Sequence, residues 1–282
     1  MHRRHGSAVR RTPAEVRQHY IAEKELALRL RLANQEERAQ LYPNIYDELF
    51  RRVPFHPILA RKVTASQRER AILWQLQFLR RFLRPSHHFL EIGAGDCALS
   101  LAVAKEVRRV YAVDVSAKLT ESLPCADNFE LLLSEGCSVD VPDNTVDLAY
   151  SNQLMEHLHP EDALRQLGEV HRMLKPGGAY VCVTPNRVGG PYDISRGFDS
   201  VATGLHLKEY TVTEAADLFR RVGFARMCAY VGARGFYLTP PLAAIRVAEA
   251  VLERVPHRLR LALCSSMLLR PFMMIRLVGT KA

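Results

Sequence analysis

The stretch Phe89-Leu-Glu-Ile-Gly-Ala-Gly-Asp-Cys97 constrains the chain most, because a short apolar run reaches a carboxylate and two glycines and then opens into a helical pattern. That order predicts strand, tight turn, helix. Two glycines one residue apart let the backbone turn sharply and approach a ligand, and the helix that follows offers unpaired N–H groups at its positive end. Such a turn suits a nucleotide-like molecule.

Two ligand classes fit it. Gly93-x-Gly95-x-x-Ala98, with Asp114 about twenty residues on, satisfies the loose dinucleotide-binding fingerprint. Glu91 argues for the other class. A strand buried on both faces normally carries an apolar residue there, and a carboxylate is costly unless it meets a cation. The amino group of S-adenosylmethionine is such a cation, and nicotinamide cofactors offer none at that place.

Along the chain, residues 1–12 read as a disordered basic arm. Pro13 to about Gln40 is rich in helix formers, and a second helix is expected after Pro43, with Tyr42, Ile45, Tyr46, Leu49 and Phe50 in one apolar stripe. That stripe either packs against the next domain or lids a site. Residues 65–84 predict a third helix. Apolar runs at 89–92, 110–115, 129–133, 146–150 and 179–184 then alternate with helical patterns at 97–107, 116–122 and 161–174, which means parallel strands with crossover helices. Sixth and seventh strands are expected at 224–232 and Phe272–Gly279, separated by an insertion with two amphipathic helical patterns, Pro240 to Arg270. The fold class is therefore α/β, a Rossmann-like seven-stranded, mostly parallel sheet with helices on both faces, N-terminal helices and a helical insertion before the last strand. The expected divisions are 1–62, an arm and helical extension; 63–239, the core; and 240–282, the insertion and final strand.

Sheets of this kind bind ligands at the carboxyl ends of their strands. The first strand ends at Glu91, Gly93 and Gly95. The second ends at Asp114-Val115, where two carboxylate oxygens suit two ribose hydroxyls. Glu135 and Gly136 end the third and suit an adenine edge. The fourth ends at Ser151-Asn152 and continues to Glu156-His157, and the fifth follows Leu174-Lys-Pro-Gly-Gly178.

Taken together, Glu91-x-Gly93-x-Gly95, Asp114, Pro142-Asp-x-x-Val-Asp147, Glu156-His157, Leu174-Lys-Pro-Gly-Gly178 and Gly223-Phe224 make the segment from about Phe89 to Phe224 resemble a class I S-adenosylmethionine-dependent methyltransferase of the quinone-biosynthesis-methylase type. The resemblance implies a seven-stranded sheet whose last strand is antiparallel. It implies that Glu91, Gly93 and Gly95 lie beside the methionine end of S-adenosylmethionine, Asp114 on the ribose, and Glu135 with Gly136 near the adenine; Val115 and Asn152 complete the expected cofactor site. Cys97 stands where the family often has a third glycine, and Glu135 where Asp is usual.

Methyl transfer asks mainly for alignment and exclusion of water. A hydroxyl acceptor also benefits from a base, and histidine suits it. His157 and His206 are the candidate catalytic residues, the second in a long loop, Arg187–Lys208, beyond the fifth strand. Capping or packing is the alternative for His157. Arg187 and Arg196 offer a grip on a phosphate or carboxylate.

Composition narrows the surroundings. The formal charge of +9 suggests an anionic neighbour. Nucleic acid is disfavoured, because Ser151-Asn-Gln-Leu replaces the Asn/Asp-Pro-Pro-Tyr/Phe signature and there is no basic-aromatic platform. Six scattered cysteines without C-x-x-C spacing argue against zinc and disulfides, so no metal is expected, and they favour a reducing compartment. With no secretory signal and no uncharged run near the ~18 residues of a bilayer span, a cytoplasmic protein is expected. The insertion over 240–270 carries arginines among its apolar residues, which fits peripheral membrane contact; a helical cap or homodimer interface is the alternative. The reading is a methyltransferase acting, at oxygen, on a small-molecule, sugar- or lipid-linked acceptor. A non-catalytic cofactor-binding module and a nucleic-acid methyltransferase are the competing readings.

Overall fold

The structure is a computed structural model that describes residues 11–60, 64–115, 126–135, 137–233 and 235–282. Residues 1–10 of the basic arm, the helical pattern at 116–122, Cys125 and Gly136 lie outside the described residues.

The N-terminal extension is α1 (Pro13–Leu32), α2 (Gln35–Arg52) and α3 (Pro57–Ala60), followed by α4 (Ala65–Leu79). The break expected between Gln40 and Pro43 falls instead at Ala33-Asn34. Asn34 accepts from the Glu37 N–H and the Glu37 carboxylate accepts from the Asn34 N–H, a capping box that starts a new helix. Pro43 therefore sits inside α2, where burial of Tyr42, Ile45 and Leu49 outweighs the ring's helix-breaking cost of roughly 3 kcal/mol.

The core strands are β1 (His88–Ile92), β2 (Arg109–Asp114), β3 (Phe129–Leu133), β4 (Val146–Asn152), β5 (Leu174–Pro185), β6 (Phe224–Ala229) and β9 (Met274–Lys281). They form one seven-stranded sheet in the order β3-β2-β1-β4-β5-β9-β6. Neighbours are parallel from β3 to β5, and β9 runs antiparallel to both β5 and β6. Helices α5 (Ala98–Ala104), α6 (Pro160–Met173) and α7 (Val212–Arg221) connect them, and the insertion is α8 (Leu242–Glu253) and α9 (His257–Ser265).

Two local expectations change. The Lys175-Pro-Gly-Gly178 turn lies within β5, where pairing jumps from Val146–Leu174 to Leu148–Ala179. The sixth strand stops at Ala229, and a hairpin of β7 (Val231–Ala233) and β8 (Phe236–Leu238) follows. Gly232 permits it: a Cβ there would meet the Phe236 carbonyl oxygen at 2.1 Å. Tyr230 and Tyr237 dock this hairpin on Phe78 of α4, with ring centroids 5.4 and 4.7 Å away.

Alternation along the strands sorts the core onto two faces. Leu90, Ile92, Ala149, Tyr180 and Cys182 pack with α1, α2, α6 and α7. Phe89, Leu148, Tyr150, Val181 and Val183 pack with α4 and α5. Glu91 therefore points to the α4–α5 face. On the insertion, Glu249 is buried and caps α7, accepting from the Val212 N–H at 2.7 Å and the Thr213 hydroxyl at 2.7 Å. Val247, Val251, Leu259 and Met267 are exposed. No helix among the described residues is long and apolar enough to cross a membrane.

Candidate active site

The turn after β1 is fastened to β2. The N–H groups of Gly93 and Ala94 donate to the Val113 carbonyl at 2.8 and 3.0 Å, and the Gly95 N–H donates to Asp114 Oδ2 at 2.7 Å. Gly93 adopts φ +73° with Leu154 3.3 Å from where a Cβ would stand, so glycine answers both backbone and space. Cys97, at the place of the family's third glycine, has φ +56° and a buried side chain. A left-handed backbone explains why glycine is favoured there.

Glu91 is buried, at 6% exposure. The Ser100 hydroxyl on α5 donates to its Oε2 at 2.5 Å, and no lysine or arginine among the described residues pairs with it. Burial, joined by repulsion from Asp96 and Asp114, pushes its carboxyl up to about 8 against the Ser100 hydrogen bond. It lines a cavity of about 580 Å³ with Arg68, Gln75, Gly93, Asp96 and Asn152. Arg68 is committed to Asp96. Gln75 accepts from the Tyr150 hydroxyl at 2.9 Å and from Asn152 Nδ2 at 3.4 Å.

A second cavity, about 700 Å³, opens on the other side of Gly93. The core contributes Asp114, Val115 and Ser134, and α2 contributes Tyr42, Ile45 and Tyr46. Leu30, Leu154 and Leu158 make much of the rest apolar, and its lining holds no lysine or arginine among the described residues. Ser134, rather than Glu135, is the β3-end residue facing this space; Glu135 is exposed and accepts from the Ser138 hydroxyl.

Of the two histidines, His157 lines this cavity and His206 stands behind it, ring centroids 4.8 Å apart in a T shape. His157 Nδ1 lies 3.0 Å from the Leu205 carbonyl oxygen and 2.9 Å from the Tyr46 hydroxyl. A carbonyl only accepts, so Nδ1 carries the proton. Burial, with the charge of His206 adding, pulls the His157 pKa down to about 3. His206 Nδ1 donates to Glu209 at 2.7 Å. Burial lowers its pKa, but Glu209, Glu156 and Asp193 outweigh that and raise it. Glu156 is fully buried, its Oε2 accepting from the Thr184 hydroxyl at 2.8 Å, and burial raises its pKa.

The long loop is tied to α1. Arg31 donates to the carbonyls of Thr203 and His206 at 3.1 and 3.2 Å, the Tyr20 hydroxyl donates to Asp199 at 2.8 Å, and Glu23 accepts from the Leu205 N–H. Arg187 pairs with Glu214 and Glu253, and Arg196 donates to the Gly189 and Pro191 carbonyls, so both arginines are occupied away from the cavities. Helix α2 is held by Arg38 and Asp162, both buried, with Nε to Oδ2 at 2.5 Å and the Tyr42 hydroxyl donating to the same carboxylate at 2.8 Å.

Comparison with known proteins bears on what such a cleft is. The Methyltransferase domain family matches residues 90–182. A demethylmenaquinone methyltransferase from Symbiobacterium thermophilum is 26% identical over 54% of this chain and 62% of its own length. A probable S-adenosylmethionine-dependent methyltransferase from Mycolicibacterium smegmatis is 30% identical over 48% of this chain and 51% of its own. The chain thus spans about half to three-fifths of these relatives. A solved complex of the Haloferax volcanii Trm112 methyltransferase activator with the putative methyltransferase shares the fold, at TM-score 0.54 and 18% identity, covering 76% of this chain and 92% of that one. The chain carries a class I S-adenosylmethionine-dependent methyltransferase domain.

S-adenosylmethionine is the cofactor of this domain, and the residues present fit it. The methyltransferase domain offers a buried carboxylate without a cationic partner among the described residues, a glycine turn open to close approach at Gly95, and an acid at the end of β2. Sequence reasoning passed over Ser100 and Gln75, and at the end of β3 it chose Glu135 over its neighbour Ser134. Ser100 was detectable as the one polar residue in the apolar run Ala98-Leu-Ser-Leu-Ala-Val-Ala104.

Proposed function

We propose that the protein transfers the methyl group of S-adenosylmethionine to a hydroxyl oxygen on a small, largely apolar acceptor. The observation that carries this is Glu91, a buried carboxylate on a cavity wall that pairs with no lysine or arginine among the described residues. When bound, the cofactor supplies an electrophilic methyl on a positively charged sulfur.

In this reading Glu91 receives the cofactor's ammonium group, with Asn152 and Gln75 on the same wall. Asp114 takes the ribose hydroxyls beside Val115, and Ser134 borders the adenine end; Glu135 and Gly136 were assigned there from the resemblance. The second cavity is thus shared: its strand-end wall of Asp114, Val115 and Ser134 meets the nucleoside, its apolar part beneath α1 and α2 takes the acceptor, and those helices exclude water. Transfer would exchange the S–CH3 bond for an O–CH3 bond and give S-adenosylhomocysteine, with the acceptor hydroxyl's proton passing to solvent. Tyr46 and His157, with His206 behind, support oxygen as the methylated atom, because they bring polar groups to a largely apolar wall. The relative named for demethylmenaquinone supports a small apolar acceptor in general, without naming this one.

Calorimetric titration with S-adenosylmethionine and with NADH tests the cofactor. Binding of the first and not the second is expected, and the reverse would end this reading. Carbon-13-labelled methyl, followed by NMR of the product, then separates an ether methyl from one on carbon or nitrogen.

A further inference from the structure

We infer that Glu156, His157 and His206 together hold one divalent transition-metal ion at the edge of the acceptor cavity. The inference deepens the oxygen-methylation reading and, for its catalytic meaning, rests on it. One ring nitrogen of each histidine and one carboxylate oxygen of Glu156 lie within 4.8 Å of one another. Donors bound to one ion at about 2.0–2.2 Å stand roughly 3–3.5 Å apart, so side-chain adjustments of about an ångström close the set.

A separate observation points to a ligand. Glu156 is at 0% exposure, its Oε2 is taken by Thr184, and its Oε1 is buried with no hydrogen-bond partner among the described residues. A buried carboxylate oxygen without a donor is costly, and a cation is what satisfies it.

Both histidines are oriented as metal ligands are. His157 Nδ1 faces the Leu205 carbonyl at 3.0 Å and His206 Nδ1 faces Glu209 at 2.7 Å. Carbonyl or carboxylate acceptors behind an imidazole fix its tautomer and leave the Nε2 lone pair for the ion. The local charge balance agrees. Glu156, Glu209 and Asp193 gather around His206, while the nearby Arg31 donates to the backbone carbonyls of Thr203, Gly204 and His206.

The cluster His19, Glu23 and His56 meets the same distance condition and lacks that feature. Glu23 Oε1 is 2.6 Å from His19 Nε2, its Oε2 accepts from the Leu205 N–H at 3.2 Å, and Arg11 lies 2.7 Å from His19 Nδ1. Its carboxylate is already satisfied.

Two imidazoles and one carboxylate suit zinc, manganese, iron or cobalt better than magnesium or calcium, which prefer oxygen alone. His157 is the member on the cavity wall, so a remaining coordination position would meet an acceptor oxygen. A hydroxyl on such a cation would lose its proton to solvent more readily.

The test uses the full chain, purified without a metal-affinity step, treated with chelator and titrated with Zn²⁺ and, in parallel, Mn²⁺. One ion per chain is expected. Glu156→Gln and His206→Gln should each weaken binding by about ten-fold or more, and Glu209→Gln by about ten-fold, with His56→Gln unchanged. Co²⁺ should give visible absorption bands in the unaltered protein that Glu156→Gln abolishes. An unaltered chain that binds no ion, or binding that follows His56 instead of Glu156, overturns the site; should Glu156→Gln fail to fold, the unaltered chain and His206→Gln decide. Glu91→Gln separates this from the cofactor reading, since it should lose S-adenosylmethionine affinity and keep the metal. S-adenosylmethionine binding without metal removes only the metal site, and metal without S-adenosylmethionine binding removes only the donor.

Discussion

On one side of Gly93 the cleft is made of strand ends and the turn after β1, with Glu91 and Asn152 set by the register of the sheet and Gln75 added from α4; on the other it is made largely of α1 and α2, joined to the core through side chains, and of the loop 187–208 that continues from β5. The two sides also treat buried charge differently. Glu91 keeps a single hydroxyl partner and an elevated pKa, whereas Glu23, which ties the loop to α1, is pulled down to about 2: burial opposes ionisation, and hydrogen bonds from His19 and His56 overcome it. An acid that is satisfied serves the fold. One that is not serves a guest.

Because α2 is anchored through side chains, cutting that anchor should have the largest effect. Arg38→Ala leaves Asp162 buried without its cation, and such a break typically costs about 3–5 kcal/mol. Thermal melting should show a clear fall in midpoint; a midpoint within a degree or so of the unaltered protein would mean that α2 is held some other way. A smaller effect, confined to chemistry, is expected for His206→Ala. Turnover should drop by about a hundred-fold while the S-adenosylmethionine dissociation constant stays within about two-fold, and equal losses in both would erase the division between the sides. The smallest effect belongs to the turn. Cys97→Gly relieves a left-handed backbone while removing a small buried side chain, so the melt should move by less than about 1 kcal/mol, whereas Cys97→Val should cost more than that.

The same division governs what could be read without coordinates. The strand runs and the grouping of Glu91, Gly93, Asp114 and Asn152 at strand ends follow from local patterns, because parallel strands announce themselves as apolar runs and their ends converge, whereas the antiparallel last strand was legible only through the family resemblance. The α1–α2 break was misplaced because Pro43 outranked the Asn34 capping box, although that box was present in the sequence. The β7–β8 hairpin was missed because its strands are three residues each and carry no readable alternation. His206 was expected at the acceptor but stands behind His157; Glu209 is three residues away and Asp193 shares its loop, whereas Glu156 comes from the turn after β4. Meetings of that kind depend on packing, which no spacing along the chain encodes.

The most direct test of the account is the binding of S-adenosylmethionine to the unaltered protein and to Glu91→Gln as a function of pH. Burial pushes the Glu91 carboxyl up to about 8, so the folded protein holds a proton there that the unfolded chain releases above about 4.5. Its burial cost therefore grows as pH rises between those values, and pairing with an ammonium group removes it. Calorimetry in buffers of different ionisation enthalpy should show close to one proton released on binding below pH 8, affinity rising by up to about ten-fold per pH unit, and both features lost in Glu91→Gln together with at least about ten-fold in affinity. Equal dissociation constants and equal proton release in the two proteins would contradict the assignment of Glu91, and with it the reading of this cleft.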